Sequence, residues 1–313
     1  MITISSAEFL TCYKNSPRIL TEGSVGLRLS NEFGIVPDKY IGSASLIYDT
    51  ASRKILKKIY GQYLQVAADF SLPVLLMTNT RRANKERVLS SAYKDRNVMS
   101  DYADFLREII AEYKCEAYVG GYIGCKGDGY TGEGHLSAKE AADFHAWQIE
   151  AFQQANIDFI MTSLMPTLDE SIGMAIALEQ SKFPYIFSLM VRENGNISDG
   201  TSINNTIRDI DNAVTKKPLC YIANCIHPII LRHALQHNNT PLVKDRFRGI
   251  QANAAYLSPE ELDKPSETKS SSPYDLTNEM IALDKEFSLK ICGGCCGTDD
   301  THLREFAKWL CKK

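Results

Sequence analysis

The segment Ile291-Cys292-Gly293-Gly294-Cys295-Cys296-Gly297-Thr298 sets two neighbouring thiols among glycines, and a third thiol, Cys225, follows Tyr221-Ile222-Ala223-Asn224. Three thiolates form a soft donor set that suits zinc, and a three-ligand site leaves the fourth tetrahedral position open to a substrate. A substrate thiol bound there would stay deprotonated at neutral pH and could attack an activated methyl group. Neighbouring side chains on an extended chain point apart, but the flanking glycines free the backbone to turn both sulfurs toward one ion. Two other readings of the same residues remain open. Cys225 and Cys295 are too distant in sequence to form a local CxxC motif, so the vicinal pair could simply pack in a tight turn. A glycine-rich phosphate loop is the other alternative, weakened because no lysine or arginine follows Gly293 before Arg304.

Residues so far apart must be gathered by regular elements. Eight apolar runs read as strands, near Arg18 to Glu22, Leu72 to Thr78, Glu116 to Gly121, Ile157 to Thr162, Pro184 to Met190, Leu219 to Asn224, Phe247 to Ala252 and Ser288 to Cys292. Amphipathic stretches lie between them, one striped by Ile55, Ile59, Tyr63, Val66 and Phe70, another by Tyr102, Phe105, Ile109 and Tyr113, each suited to covering a sheet. Ser137 and Glu140 form a capping box ahead of a further helix. Eight βα units in series predict an α/β fold with a single (β/α)8 TIM-type barrel spanning 1–313, an open doubly wound sheet being the alternative. The thiols then fall at the C-terminal ends of strands, where barrels place their chemistry. The glycines between Gly120 and Gly134 predict a flexible loop after the third strand, and the polar Ser258 to Pro273 stretch reads as a solvated surface loop.

Bulk composition narrows the partners. The chain has 313 residues, 44% of them hydrophobic, with a net charge of -3. This balance gives no general attraction for nucleic acid or anionic membranes. No leader-like segment precedes Ser24 and no apolar run is long enough to span a bilayer, so neither a membrane nor nucleic acid is expected as a partner and a cytoplasmic location is expected. Nine cysteines, an odd number, suit free thiols in a reducing compartment better than a disulfide framework.

Gly293-Gly294-Cys295-Cys296-Gly297-Thr298 together with Asn224-Cys225 resembles the signature of the zinc-dependent homocysteine S-methyltransferase family. The resemblance runs along the chain through Glu22-Gly23, Thr78-Asn79-Thr80, Phe144-His145 with Gln148, Ser188 with Asp199-Gly200-Thr201, and Asn253. It implies a (β/α)8 barrel holding Zn2+ on Cys225, Cys295 and Cys296, with no catalytic group beyond these ligands. Homocysteine or a related small thiol would be the acceptor, and a small sulfonium such as S-methylmethionine or S-adenosylmethionine the methyl donor. Glu22, Gly23, Asn79 and Asn224 would lie along the substrate, whereas His227, beside Pro228 at a helix start, and His145 with Gln148 read as structural. One substrate position departs from the pattern. Ser163 stands where the family places a glutamate for the amino group of homocysteine, and a neutral hydroxyl does not replace a charge-assisted bond of about 1.5–3 kcal/mol. Ser24 in place of a second glycine, and Gln251-Ala252-Asn253-Ala254 in place of a proline-initiated stretch, depart in the same direction. A zinc set kept intact beside an altered substrate set leaves two further outcomes, a different small thiol or selenol as acceptor, and a non-catalytic zinc or thiol-binding barrel.

Overall fold

Branched and aromatic residues concentrate in eight short runs, and in the computed structural model, which describes residues 6–257 and 270–312, each becomes a parallel strand. They are β1 Ile19–Thr21, β2 Val74–Met77, β3 Ala117–Gly124, β4 Phe159–Ser163, β5 Tyr185–Leu189, β6 Tyr221–Ile226, β7 Phe247–Ala252 and β8 Ile291–Gly294. Every strand pairs with the next, and β8 returns to β1 with Ile291 opposite Ile19, closing the sheet. Closure confirms the predicted (β/α)8 barrel over the open-sheet alternative. The strands are apolar on both faces because both are covered. Leu75, Met77, Phe159, Met161, Ile186, Ile222 and Ile291 fill the barrel interior, while the alternate residues Val74, Leu76, Ile160 and Phe187 meet the helices outside.

The α-helices among the described residues, in chain order, are α1 Ser6–Asn15, α2 Gly26–Phe33, α3 Thr50–Phe70, α4 Lys85–Ser90, α5 Val98–Ile110, α6 Ala138–Gln153, α7 Leu168–Glu179, α8 Ile203–Ala213, α9 Pro228–His237, α10 Pro241–Arg246, α11 Pro273–Phe287 and α12 Asp300–Leu310, and a 3-10 helix spans Ser43–Tyr48. Both sides of the Ser137 and Glu140 capping box form at the start of α6. None of these helices is long and apolar enough to cross a membrane. Helix α1 has no counterpart among the predicted elements. It seals the N-terminal end of the barrel, where the Phe9 ring stacks on Phe159 at 4.5 Å between centroids, leaving the opposite end as the open mouth.

The predicted flexible loop at Gly120 to Gly134 is corrected at its start, because β3 continues to Gly124. Gly120 and Gly121 are strand residues chosen for space. A Cβ on Gly120 would stand 2.6 Å from Phe159 and 2.7 Å from the Met77 sulfur, and one on Gly121 would stand 2.8 Å from Phe152. Large neighbours on either face of the strand therefore require these glycines, and only the residues after Gly124 form a loop. Of the predicted surface loop from Ser258 to Pro273, residues 258–269 lie outside the described residues, and Pro273 opens α11.

Candidate metal and substrate site

Asn224 and Cys225 are adjacent on β6, and an ideal strand would aim them to opposite faces. Asn224 points into the mouth, its Oδ1 accepting from Leu164 N at 3.1 Å and from the Ser188 hydroxyl at 2.5 Å. Its Nδ2 donates to the Tyr122 hydroxyl at 3.3 Å. A register shift between Asn224 and Ile226 makes Cys225 the extra residue of a bulge, with φ at 60°. That left-handed conformation costs on the order of 1–3 kcal/mol in a residue with a Cβ, and bulges commonly re-aim a side chain at a functional site. Here it brings the Cys225 sulfur to the same side as Asn224.

The other two thiols come from the turn after β8. Cys295 N donates to Ala252 O at 2.7 Å and Ala254 N donates to Cys296 O at 3.0 Å, tying the turn to the end of β7. The Thr298 hydroxyl donates to Cys295 O at 2.7 Å, and Gly297 takes φ of 77° to close the loop. The sulfurs of Cys225, Cys295 and Cys296 consequently lie within 4.8 Å of one another, with Cys225 and Cys296 only 3.4 Å apart. Cys292, one strand turn earlier, packs into the helix layer instead.

These donors fit zinc. Tetrahedral coordination with Zn–S bonds of about 2.3 Å needs sulfurs roughly 3.8 Å apart, a spacing that small rotamer adjustments supply. Hydrogen bonds from Cys295 and Cys296 hold the Cys225 thiol well below the usual thiol range, and the contact with Cys225 in turn pushes Cys295 well up and Cys296 up to about 12. Negative charge thus concentrates on Cys225, where the Tyr130 phenol, from the loop after β3, donates at 3.2 Å. Leu164 and Met190 wall the cluster from water.

The five candidate substrate residues take different places around this cluster. Glu22 and Gly23 follow β1 directly beside β8, with Gly294 N donating to Glu22 O at 3.1 Å. Asn79 spends its amide nitrogen on the Tyr60 and Tyr102 hydroxyls at 3.1 and 2.8 Å, the bonding of a loop-shaping residue. Asn224 is likewise committed to protein partners. Ser163, only 1% exposed, ends β4 with its hydroxyl beside the Tyr122 phenol. The residues given structural readings behave so: His227 caps α9 by accepting from Ile229 N, His145 pairs with Glu170, and Gln148 donates to Thr80 O. Tyr122, Arg81 and Arg82 also face the mouth, and their only sequence signal was a position just after β2 or within β3.

The Glu22 carboxyl is buried, and loss of solvation pushes its pKa up to about 8 although Met77 N donates to its Oε2 at 2.8 Å. The folded-state value lies above the ordinary 4.5, so the unfolded chain ionises first and the folded state loses stability as pH rises from about 4.5 to about 8. Glu22→Gln keeps the acceptor for Met77 and removes that loss. Its thermal midpoint should exceed the wild-type value by several degrees at pH 8.5, with the gap closing near pH 4.5. Scanning calorimetry at both pH values checks this, and a gap independent of pH would contradict it.

A closed eight-stranded parallel barrel with three thiols converging at its C-terminal mouth defines a (β/α)8 barrel protein whose thiol cluster could hold a metal ion. Residues 19–310 match the homocysteine S-methyltransferase family, and the chain belongs to that family. Among similar proteins, Homocysteine S-methyltransferase 2 of Saccharomyces cerevisiae is 22% identical over 277 residues, covering 82% of this chain and 81% of its own. The metallated form of the homocysteine methyltransferase MmuM from Escherichia coli superimposes with a TM-score of 0.76 at 17% identity, covering 97% of this chain and all of that one. Its oxidized form gives 0.74 at 18% identity, covering 95% and 97%. At such identities the solved structures speak for the shared fold.

Proposed function

We propose that this chain transfers a methyl group from a small sulfonium donor, S-methylmethionine or S-adenosylmethionine, to the thiol of homocysteine, forming methionine, with Zn2+ held by Cys225, Cys295 and Cys296. The observation that carries this reading is the convergence of three thiols within 4.8 Å at the open end of the barrel. When bound, zinc supplies a Lewis acid that keeps an incoming thiol deprotonated at neutral pH. The chain's own residues then position and shield. Tyr130 holds the Cys225 sulfur by its hydrogen bond. Glu22 and the Gly23 backbone border the amino-acid end of the substrate, where an arriving ammonium group draws the proton off the buried carboxyl. Asn224 fixes Leu164 and Ser188 around the reacting sulfur. No general acid is needed, since the donor leaves as a neutral thioether and the reaction asks chiefly for alignment. We read residues 1–313 as one barrel domain and the location as cytoplasmic, a reading supported by nine cysteines that are all free.

The test is incubation of the zinc-loaded protein with homocysteine and each donor, assayed for methionine. Methionine from either donor supports the reading. Homocysteine binding by calorimetry without turnover from any donor would replace it with the non-catalytic thiol-binding barrel that Ser163 leaves open.

A further inference from the structure

Beside the thiol cluster lies a cavity of about 450 Å³ whose lining includes Arg81, Arg82, Arg87, Lys126, Ser163 and Tyr130. Four cations meet there in a chain whose net charge is -3. Arg81 and Arg82 follow β2, Arg87 projects from α4, and Lys126 follows β3. Among the described residues none of the four has a carboxylate within salt-bridge distance. Arg87 donates to Tyr40 O at 3.1 Å, and Lys126 lies over the Phe144 ring. The single acid in the lining, Asp128, has its Oδ1 committed to the Tyr130 and Thr131 backbone N–H groups at 2.8 and 2.7 Å. Burial and the like charges of Arg87 and Arg81 together lower the pKa of Arg82. Unpaired like charges repel, and they persist together where an anion is to be received.

Two contacts connect this cavity to the reacting position. Tyr130 lines it and also reaches the Cys225 sulfur at 3.2 Å. Ser163, buried at the end of β4, opens onto it. Arg81, Arg82, Arg87 and Lys126 thus make positive charge dominate the lining beside the reacting position. We infer that the cavity is an anion subsite for the methyl acceptor, so that thiols carrying a carboxylate or sulfonate group but no ammonium group form a second acceptor class beside homocysteine, whose own carboxylate is accompanied by an ammonium. The inference rests on the methyl-transfer reading. In the reaction the thiol proton passes to solvent, the acceptor sulfur forms the new S–CH3 bond, and the sulfonium C–S bond breaks with its electron pair remaining on the departing thioether. An ammonium-bearing thiol without an acid gains nothing from the cavity and is repelled by it.

The test uses the zinc-loaded full chain with S-methylmethionine and S-adenosylmethionine as donors. The acceptors are mercaptosuccinate, 2-mercaptoethanesulfonate, homocysteine and 2-aminoethanethiol. The acidic thiols should exceed 2-aminoethanethiol in kcat/KM by about tenfold or more, and Arg82→Ala with Arg87→Ala should collapse that ratio by a similar factor. Comparison of the carboxylate and sulfonate arms identifies the preferred anion. Methylation of homocysteine with an acid-to-amine ratio near one, or a ratio the double variant leaves unchanged, overturns the inference while sparing the methyl-transfer reading. If no thiol is methylated that reading fails, and calorimetric titration of 2-mercaptoethanesulfonate still decides the subsite. Binding to the wild type that the double variant weakens about tenfold supports it, and equal or absent binding to both overturns it.

Discussion

Cys225→Ser is expected to leave the barrel folded but to lose bound zinc and, with it, methyl transfer by on the order of 10³-fold or more, exceeding the 10–100-fold typical of an outer-shell partner. The three sulfurs converge within 4.8 Å, so each is a third of the donor set. A serine hydroxyl at this position stays protonated at neutral pH and is a poorer donor for a borderline-soft ion. The bulge and the positive φ depend on the backbone of β6 and its pairing with β7, so the substitution removes the donor without removing the geometry. Cys311→Ser, at an exposed thiol beyond α12, should retain full metal content and controls for the loss of any one cysteine. Elemental analysis alongside circular dichroism provides the check, and near-stoichiometric zinc in Cys225→Ser would refute the three-thiolate site.

Gly293→Ala carries a large expected cost in stability. A Cβ there would stand 1.9 Å from the Thr21 hydroxyl and 2.7 Å from the Thr21 carbonyl oxygen on β1. The first contact is a side chain that could rotate, although it accepts from Gln251 Nε2 at 3.2 Å. The second is backbone at the seam where β8 closes the barrel and has little freedom to withdraw. Overpacking typically costs about 1–3 kcal/mol, and a clash with backbone at a closure seam belongs at about 3 kcal/mol or above. Displacement of β8 would also carry Cys295 and Cys296 away from Cys225, so metal content should fall together with stability. Gly34→Ala is the informative comparison, since φ is 65° but no atom lies within 4 Å. It should cost only about 1 kcal/mol through its backbone conformation. Urea unfolding of both variants separates the two causes, and equal shifts in midpoint would show that the seam yields.

Much of this was readable from residue order. Alternating apolar runs and amphipathic stretches recur eight times, and local periodicity reports them because each strand must bury both faces whatever its partners are. The pair Cys295-Cys296 among glycines is a local signal of the same kind, and Ser137 with Glu140 marks a helix start through bonds that span only three residues. Closure of the sheet, by contrast, is a property of β8 meeting β1 across nearly the whole chain. The bulge at Cys225, the need for Gly120 and Gly121 inside β3, and the sealing of the barrel by α1 were decided there. Each depends on which side chains arrive opposite one another: Phe159 and Met77 against Gly120, Phe9 against Phe159, and β7 against β6 with one residue to spare. The charge of the mouth was decided in the same way. Arg81, Arg82, Arg87 and Lys126 are ordinary surface residues along the sequence, and only folding places them around one cavity beside Ser163 and the thiols, because electrostatic fields sum over distance in space and not over separation along the chain.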